Sequence, residues 1–459
     1  MKMRCFLIDE LIPLWDDLRA FLNYLEEKKE MATIREEVDV KCEISAGLQK
    51  TCKIGGPALY FKNVRGHRIP VVGGVYATEE RVLSILGTTK ESAPKDFLHG
   101  MENEVHPTIV SKGPCQEVVW LGEEVDLAKL PILTHAPKDG GPYVTSIVIA
   151  KDPEYGRNVS IHRCMVKGKN KLALVIDAGR HLGAYYQRSE SMGRPLEVAI
   201  VIGTDPIIPI ASQTVPIKGI YGDELAVAGG LRGKPVELVR CRTVDIEVPA
   251  TAEIVIEGEV PPNVREMEGP FGEMSGYYGA GVNSPIIIVK AITTREEPIY
   301  HAIHPGRPPN EGHNLRSIPV DASFYRYIRQ ACPTVKAVHF TSGGIGQNHV
   351  VISIKQTYKE QAKNVMLAAY GSRLDVKNVV VVDEDIDVYD PVEVEWAIAT
   401  RAQPDTDVYV FPRVAGGPAD PSAKEDCVVS GMAIDATKPF GEPFPETIEL
   451  PEPKFRIPA

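Results

Sequence analysis

Glu268-Gly-Pro-Phe-Gly-Glu273-Met-Ser-Gly-Tyr-Tyr278 lies between two short β-rich runs, at 253–257 and 285–292. Its Gly-Pro turn joins extended segments and rules out a helix there. Outward from it, similar runs occur at 144–150, 171–176, 198–203 and 237–239, separated by Gly, Pro and Asp. This pattern predicts a barrel or sandwich over residues 116–316. The same turn carries candidate chemistry. It brings Glu268 and Glu273 close, and neighbouring carboxylates repel unless a cation or a proton intervenes. One can then hold a cation while the other carries a proton, the division that acid–base catalysis needs. A polar hairpin rim is the bland alternative.

On the N-terminal side, Trp15, Leu18, Phe21, Leu22 and Leu25 recur at helical spacing and predict a helix over roughly 13–30. Strands at 58–61 and 70–75 and a helix near 79–86 complete an α/β domain over 1–115. On the C-terminal side, helices near 321–331, 359–370 and 391–400 alternate with strands at 335–341, 350–354 and 378–382. They predict an α+β unit over 317–459, whose Pro-rich tail after Asp435 runs extended on the surface. The fold class is therefore α/β plus β, in several domains, as 459 residues exceed one ordinary core.

Composition narrows the function. The chain is 43% apolar and 25% charged, as in soluble globular proteins, and its net charge of −11 argues against nucleic acid or an anionic membrane as partner. No run approaches the ~18 apolar residues of a membrane span, and the N-terminal run is too short for a signal. Eight cysteines are scattered without a C-x-x-C, which predicts reduced thiols in a cytoplasm. There is no G-x-G-x-x-G after a strand and no Walker sequence, and 229–234 has the wrong order and spacing, so an ordinary Rossmann or P-loop enzyme is disfavoured.

Further candidates each have a bland alternative. In Asn158-Val-Ser-Ile-His-Arg163 a strand puts Asn158, Ser160 and His162 on one face and Val159, Ile161 and Arg163 on the other. Lys167, Lys169 and Lys171 form a solvated face or a phosphate-steering patch. His181, and Asp223-Glu224 after the turn-rich loop 216–222, read alone as a structural imidazole and solvated carboxylates. An Asn oxygen, one imidazole and one carboxylate would also suit Mn²⁺. His301, His304, Arg307 and His313 crowd a Pro-rich segment at 300–313, either a substrate mouth or a plain surface loop. Their spacing is not that of a zinc protease.

Taken in order, the segments resemble the UbiD family of prenylated-flavin-dependent decarboxylases. The resemblance rests on Asn158–Arg163, Lys167–Lys171, Arg180-His-Leu-Gly183, Glu224 ahead of Ala228-Gly-Gly-Leu-Arg-Gly-Lys234, Glu268–Tyr278 and Gly431-Met-Ala-Ile-Asp-Ala-Thr-Lys438. It implies a central flavin-reductase-like split β-barrel flanked by the N-terminal α/β and C-terminal α+β domains, in a homodimer or larger homo-oligomer. It implies prenylated FMN, supplied by a partner flavin prenyltransferase, with a divalent metal, Mn²⁺ first, and K⁺ as a further candidate ion. Asn158, His181 and Glu224 match the metal ligands that tie the cofactor phosphate to the protein. Ile161, His162, Arg163, Val175, Ile176, Asp177, Arg180 and His181 match cofactor-contacting positions, with Lys438 a further one. Arg163, Glu268 and Glu273 match the catalytic network.

The implied reaction is reversible, non-oxidative decarboxylation of an aromatic or heteroaromatic carboxylic acid through a covalent prenylated-FMN adduct, with Glu273 as proton donor. Furan-2,5-dicarboxylate and phenolic acids are specific candidates, and His301, His304 and Arg307 would meet a second polar substituent. Two other readings stay open: decarboxylation of an acyclic α,β-unsaturated acid in isoprenoid metabolism, and flavin binding without turnover. The direction of flux stays open too. Some relatives have Asp in place of Glu273. Many continue into a C-terminal helix beyond the counterpart of Lys438, which leaves the oligomer contact open.

Overall fold

The computed structural model describes residues 15–215, 222–372, 374–424 and 427–448. The expectations for the first 14 residues, for the loop at 216–221 and for the end of the tail from 449 lie outside these residues. At the centre is a closed six-stranded antiparallel barrel. Ile254–Val260, Leu196–Ile202, Tyr143–Asp152, Gly156–Gly168, Lys171–Leu174 and Val282–Thr294 pair in that order, and the last returns to the first.

Its strands are apolar on both faces because both faces are covered. Val144, Val148, Ile200 and Ile256 pack in one core with Leu182 and Tyr185 of the helix His181–Ser191. Their alternates Ile147, Ile149, Val201 and Val255 pack in another, with Leu18, Leu225 and Leu315 of the helices Leu18–Glu27, Glu224–Arg232 and Glu311–Ala331. The period of two along each strand sends successive side chains to opposite cores.

The barrel is stitched to its flanks by backbone pairing. Tyr300–Ala302 leaves the barrel and pairs in parallel with Val71–Gly73, completing a sheet with Met31–Val38 and Ala58–Val64. Thr108–Ile109 pairs in parallel with Glu237–Leu238. On the C-terminal side a five-stranded mixed sheet runs Val335–Phe340, His349–Ile354, Asn378–Asp383, Val428–Ala436, Val408–Ala415, with parallel pairing among the three inner strands.

The helix expected near 321–331 begins ten residues earlier and spans Glu311–Ala331, crossing position 316. Asn310 starts it, its side-chain oxygen accepting the His313 N–H at 3.0 Å. Pro319 lies inside this helix; as a helix breaker in sequence it hides the first two turns. The last two strands were not anticipated either. Val408–Ala415 contains Pro412 and loses register between Phe411 and Val414, and Gly431 interrupts Val428–Ala436. The seven described cysteines are free. Among the described residues no helix is long and apolar enough to cross a membrane.

Candidate active site

The strand Gly156–Gly168 is the spine of the site, and Arg163 stands near its middle. Arg163 Nε donates to Glu268 Oε1 at 3.1 Å and Nη2 to Glu268 Oε2 at 3.4 Å, while Nη1 donates to Glu273 Oε1. One guanidinium thus serves both carboxylates. Glu268 ends the strand Arg265–Glu268, opposite Val282. The chain then reverses at Gly269, whose φ of +98° lies in the region open to glycine, and a Cβ there would meet Gly281 Cα at 2.9 Å. Phe271–Gly272 forms a two-stranded hairpin with Tyr278–Gly279, and the Glu273 N–H closes it on the Tyr277 carbonyl at 2.9 Å.

A second segment clamps this turn. The Gly140 N–H donates to the Pro270 carbonyl at 2.8 Å, and Asp139 Oδ1 accepts the Gly272 N–H at 2.8 Å. Phe271 is held between the Arg163 guanidinium, 5.0 Å from its ring centre, and Tyr143, whose ring centre is 4.4 Å away. The two carboxylates are therefore fixed by backbone and ring contacts as well as by Arg163.

Burial divides their roles. Glu268 is 0% exposed and both its oxygens are paired with Arg163, so it is no polar rim. Burial raises the pKa of Glu273; Arg163 opposes the shift and the Glu268 charge adds to it. For Arg163 itself burial acts downward, but Glu273 and Glu268 outweigh it and the pKa is raised. The guanidinium pairs with both carboxylates, and burial leaves Glu273 the one inclined to carry a proton.

A cavity of about 280 Å³ opens beside this network. Of the residues expected at the cofactor, Ile161, His162, Arg163, Val175 and Asp177 line it, and so do Glu273 and His304. Ile176 instead packs against the barrel's apolar core. Arg180 is exposed and donates to Asp375 at 3.1 Å. The predicted row of alternate residues along the strand is present as a relay. The Asn158 amide donates to Ser160 Oγ at 2.8 Å, Ser160 meets His162 Nε2 at 2.9 Å, and His162 Nδ1 faces the Val175 carbonyl at 3.3 Å. Burial lowers the His162 pKa to about 4, so the imidazole is neutral.

The N-terminal end of the same strand is a second acidic place. Asp223 and Glu224 are not in a loop: Asp223 caps the helix Glu224–Arg232, with Oδ1 accepting the Leu225 N–H at 3.1 Å. Arg157 pairs with Asp223 at 2.6 Å. Glu224 is 6% exposed, beside Asn158 at 3%, and its Oε2 accepts the Val159 N–H at 2.9 Å. Burial pushes its pKa up to about 8. Among the described residues no Lys or Arg pairs with it at ion-pair distance. A buried carboxylate next to an amide oxygen, without its own cation, fits a divalent ion. His181 opens the helix His181–Ser191. Among the described residues His, Cys, Asp and Glu form no group of three around a common point, so an ion here would also need the Asn158 amide and oxygens from outside the chain.

The other candidates separate. His304 lines the cavity, with Nε2 3.4 Å from Gln49 Oε1. His301 sits in the strand Tyr300–Ala302 and packs against Tyr76, their ring centres 5.7 Å apart, because that segment belongs to the N-terminal sheet and not to a loop. Arg307 is exposed and lines a different cavity of about 570 Å³ with Gly276 and Lys377. Lys438 is turned to Asp385, with Nζ 2.7 Å from Oδ2, and does not line the cavity beside Glu273. Lys167 and Lys169 reach the carbonyls of Met267 and Glu123, and Lys171 pairs with Glu266, as a solvated face would.

Asp139 and Arg316 are functional candidates that sequence reading missed. Asp139 precedes Gly140-Gly141, a turn signal. Arg316 shares a helix face with Gly312 and Leu315, and all three line the cavity. That periodicity is readable only once the helix is started at Glu311.

Three family models match in chain order: the 3-octaprenyl-4-hydroxybenzoate carboxy-lyase N-terminal domain over 22–101, its Rift-related domain over 108–308 and its C-terminal domain over 313–436. The anhydromevalonate phosphate decarboxylase of Methanothermobacter thermautotrophicus is 38% identical over 426 residues, 92% of this chain and 97% of that protein. The structure of the UbiD-class enzyme HmfF from Pelotomaculum thermopropionicum in complex with FMN superposes with a TM-score of 0.88 at 43% identity, covering 95% of this chain and 97% of that one. An evolved dimeric form of HmfF in complex with prFMN gives 0.86 at 41%, with the same coverage. The chain belongs to the UbiD family of carboxy-lyases.

Proposed function

We propose that this enzyme is a prenylated-FMN-dependent decarboxylase of a small α,β-unsaturated carboxylic acid, with Glu273 as the proton donor. The observation that carries this reading is the single Arg163 guanidinium shared by buried Glu268 and half-buried Glu273 at the wall of a cavity. Arg163 pairs with both oxygens of Glu268. Glu268 in turn anchors Arg163 and, by its charge, helps Glu273 to retain a proton. When bound, the prenylated flavin supplies an electrophilic ring that takes up the negative charge left as CO₂ departs. Glu273 then delivers its proton to the substrate carbon, and the reverse transfer serves carboxylation.

Ile161, Val175 and Asp177 would hold the cofactor along the strand. Asn158, His181 and Glu224 would hold a divalent ion, Mn²⁺ first, against the flavin phosphate. A flavin prenyltransferase is the implied cofactor supplier. A heteroaromatic acid such as furan-2,5-dicarboxylate is the first substrate reading. The 38% identity to a protein named anhydromevalonate phosphate decarboxylase favours an acyclic phosphorylated acid as the second. A flavin-binding protein without turnover would have no use for the Arg163 network.

The test is co-expression with a flavin prenyltransferase, mass spectrometry of the released cofactor, and CO₂ release from both substrate classes. Prenylated FMN with CO₂ release is the expected result. Folded protein without flavin would overturn the reading.

A further inference from the structure

Arg316 is the one arginine besides Arg163 that lines the cavity holding Glu273. Unlike Arg163, it has no carboxylate at ion-pair distance among the described residues. Asp375, the carboxylate whose charge it feels, is tied to Arg180 at 3.1 Å. Its Nε is buried without a hydrogen-bond partner. His304, also lining the cavity, has a buried Nδ1 without a hydrogen-bond partner. A buried donor ordinarily finds an acceptor, so the idle Arg316 Nε–H beside a cavity indicates an acceptor that arrives with the ligand. Burial already lowers the Arg316 pKa to about 10, which a bound anion would reverse. The carboxylate that leaves as CO₂ belongs at the Glu273 end, where the proton is delivered. An anion for Arg316 must therefore be a second one.

Resting on the decarboxylase reading, we propose that Arg316 is the specificity residue of this enzyme: it pairs with a second anionic group of the substrate, a carboxylate or a phosphate. The face carrying Gly312, Leu315 and Arg316 would set the distance between the reacting and the recognised ends. A guanidinium suits both anions through paired N–H donors.

The experiment uses the prenylated-FMN-loaded enzyme. It compares kcat/KM for furan-2,5-dicarboxylate against 2-furoate, and for a phosphorylated acyclic enoate against the same enoate with a free hydroxyl. In each pair the binding of substrate is also read as a perturbation of the flavin absorbance. The unaltered enzyme should favour the dianion of at least one pair by roughly 10- to 100-fold, mainly through KM. The pair that shows it separates carboxylate from phosphate. In Arg316→Gln that preference should collapse toward one, and Arg316→Lys should keep part of it. Equal use of both members of both pairs by the unaltered enzyme would overturn the proposal with no variant needed. So would loss of flavin from Arg316→Gln, which would assign the residue to the cofactor. Preferential binding of a dianion without CO₂ release would leave Arg316 in its role and sink the decarboxylase reading instead.

Discussion

The two ends of the strand Gly156–Gly168 solve one problem in opposite ways. At Arg163 the chain gathers a buried carboxylate, Glu268, and a half-buried one, Glu273, and supplies the cation itself. At Asn158 it buries Glu224 and meets it with backbone N–H groups, Val159 among them, with no Lys or Arg at ion-pair distance among the described residues. A buried charge without a partner is costly, and the cost is met by a counter-ion or by a proton. The self-sufficient end is fit for proton transfer, because its charges are in place before any ligand arrives. The deficient end is fit for anchoring on the proposed reading, in which an external cation and a cofactor phosphate would complete it. A relay from Asn158 through Ser160 and His162 to the Val175 carbonyl runs along the strand face opposite Arg163.

The contrast can be broken first at the self-sufficient end. Arg163→Leu strands Glu268 as a buried, unpaired carboxylate. It should cost about 3–5 kcal/mol in urea unfolding at neutral pH as well as abolishing turnover. The companion Glu268→Gln in that background should restore part of the stability and none of the activity. If Arg163→Leu unfolds like the unaltered protein, Glu268 is not held as a charge.

At the deficient end the expected effect is smaller and of another kind. Glu224→Gln should leave the metal-free protein as stable as before or more so, since the buried charge is gone. Flavin retention through gel filtration should fall at least about tenfold, and chelation before cofactor loading should do the same to the unaltered protein. Full retention in both cases would remove the anchoring role.

The smallest effect concerns pH. Burial raises the Glu273 pKa above its ordinary 4.5. The proton-bearing form is depleted as pH rises through that raised value, so the decarboxylation rate should fall on the alkaline side. Exchange of the product C–H with solvent deuterium needs the carboxylate and should rise over the same interval. A decarboxylation rate that climbs through this interval would contradict the assignment.

How much of this was legible in sequence depends on the distance over which each feature is made. The barrel strand Tyr143–Asp152 announces itself through the apolar run Ile147–Ala150, and the Gly269–Pro270 turn is local chemistry. The partnership of Arg163 with Glu268 spans 105 residues and leaves no trace in spacing; it entered only through a family resemblance. His301 and His304 look alike in sequence. One side chain belongs to a sheet strand and the other to the cavity, and only the parallel pairing of Tyr300–Ala302 with Val71–Gly73 separates them. Arg316 stayed hidden because Pro319 masked the helix that carries it.

The most direct test of the central claim is turnover by the prenylated-FMN-loaded Glu273→Gln enzyme, with its flavin content measured on the same sample. The account predicts unchanged flavin content and a roughly 10²- to 10⁴-fold loss of CO₂ release. Decarboxylation at the unaltered rate, with the flavin in place, would contradict it.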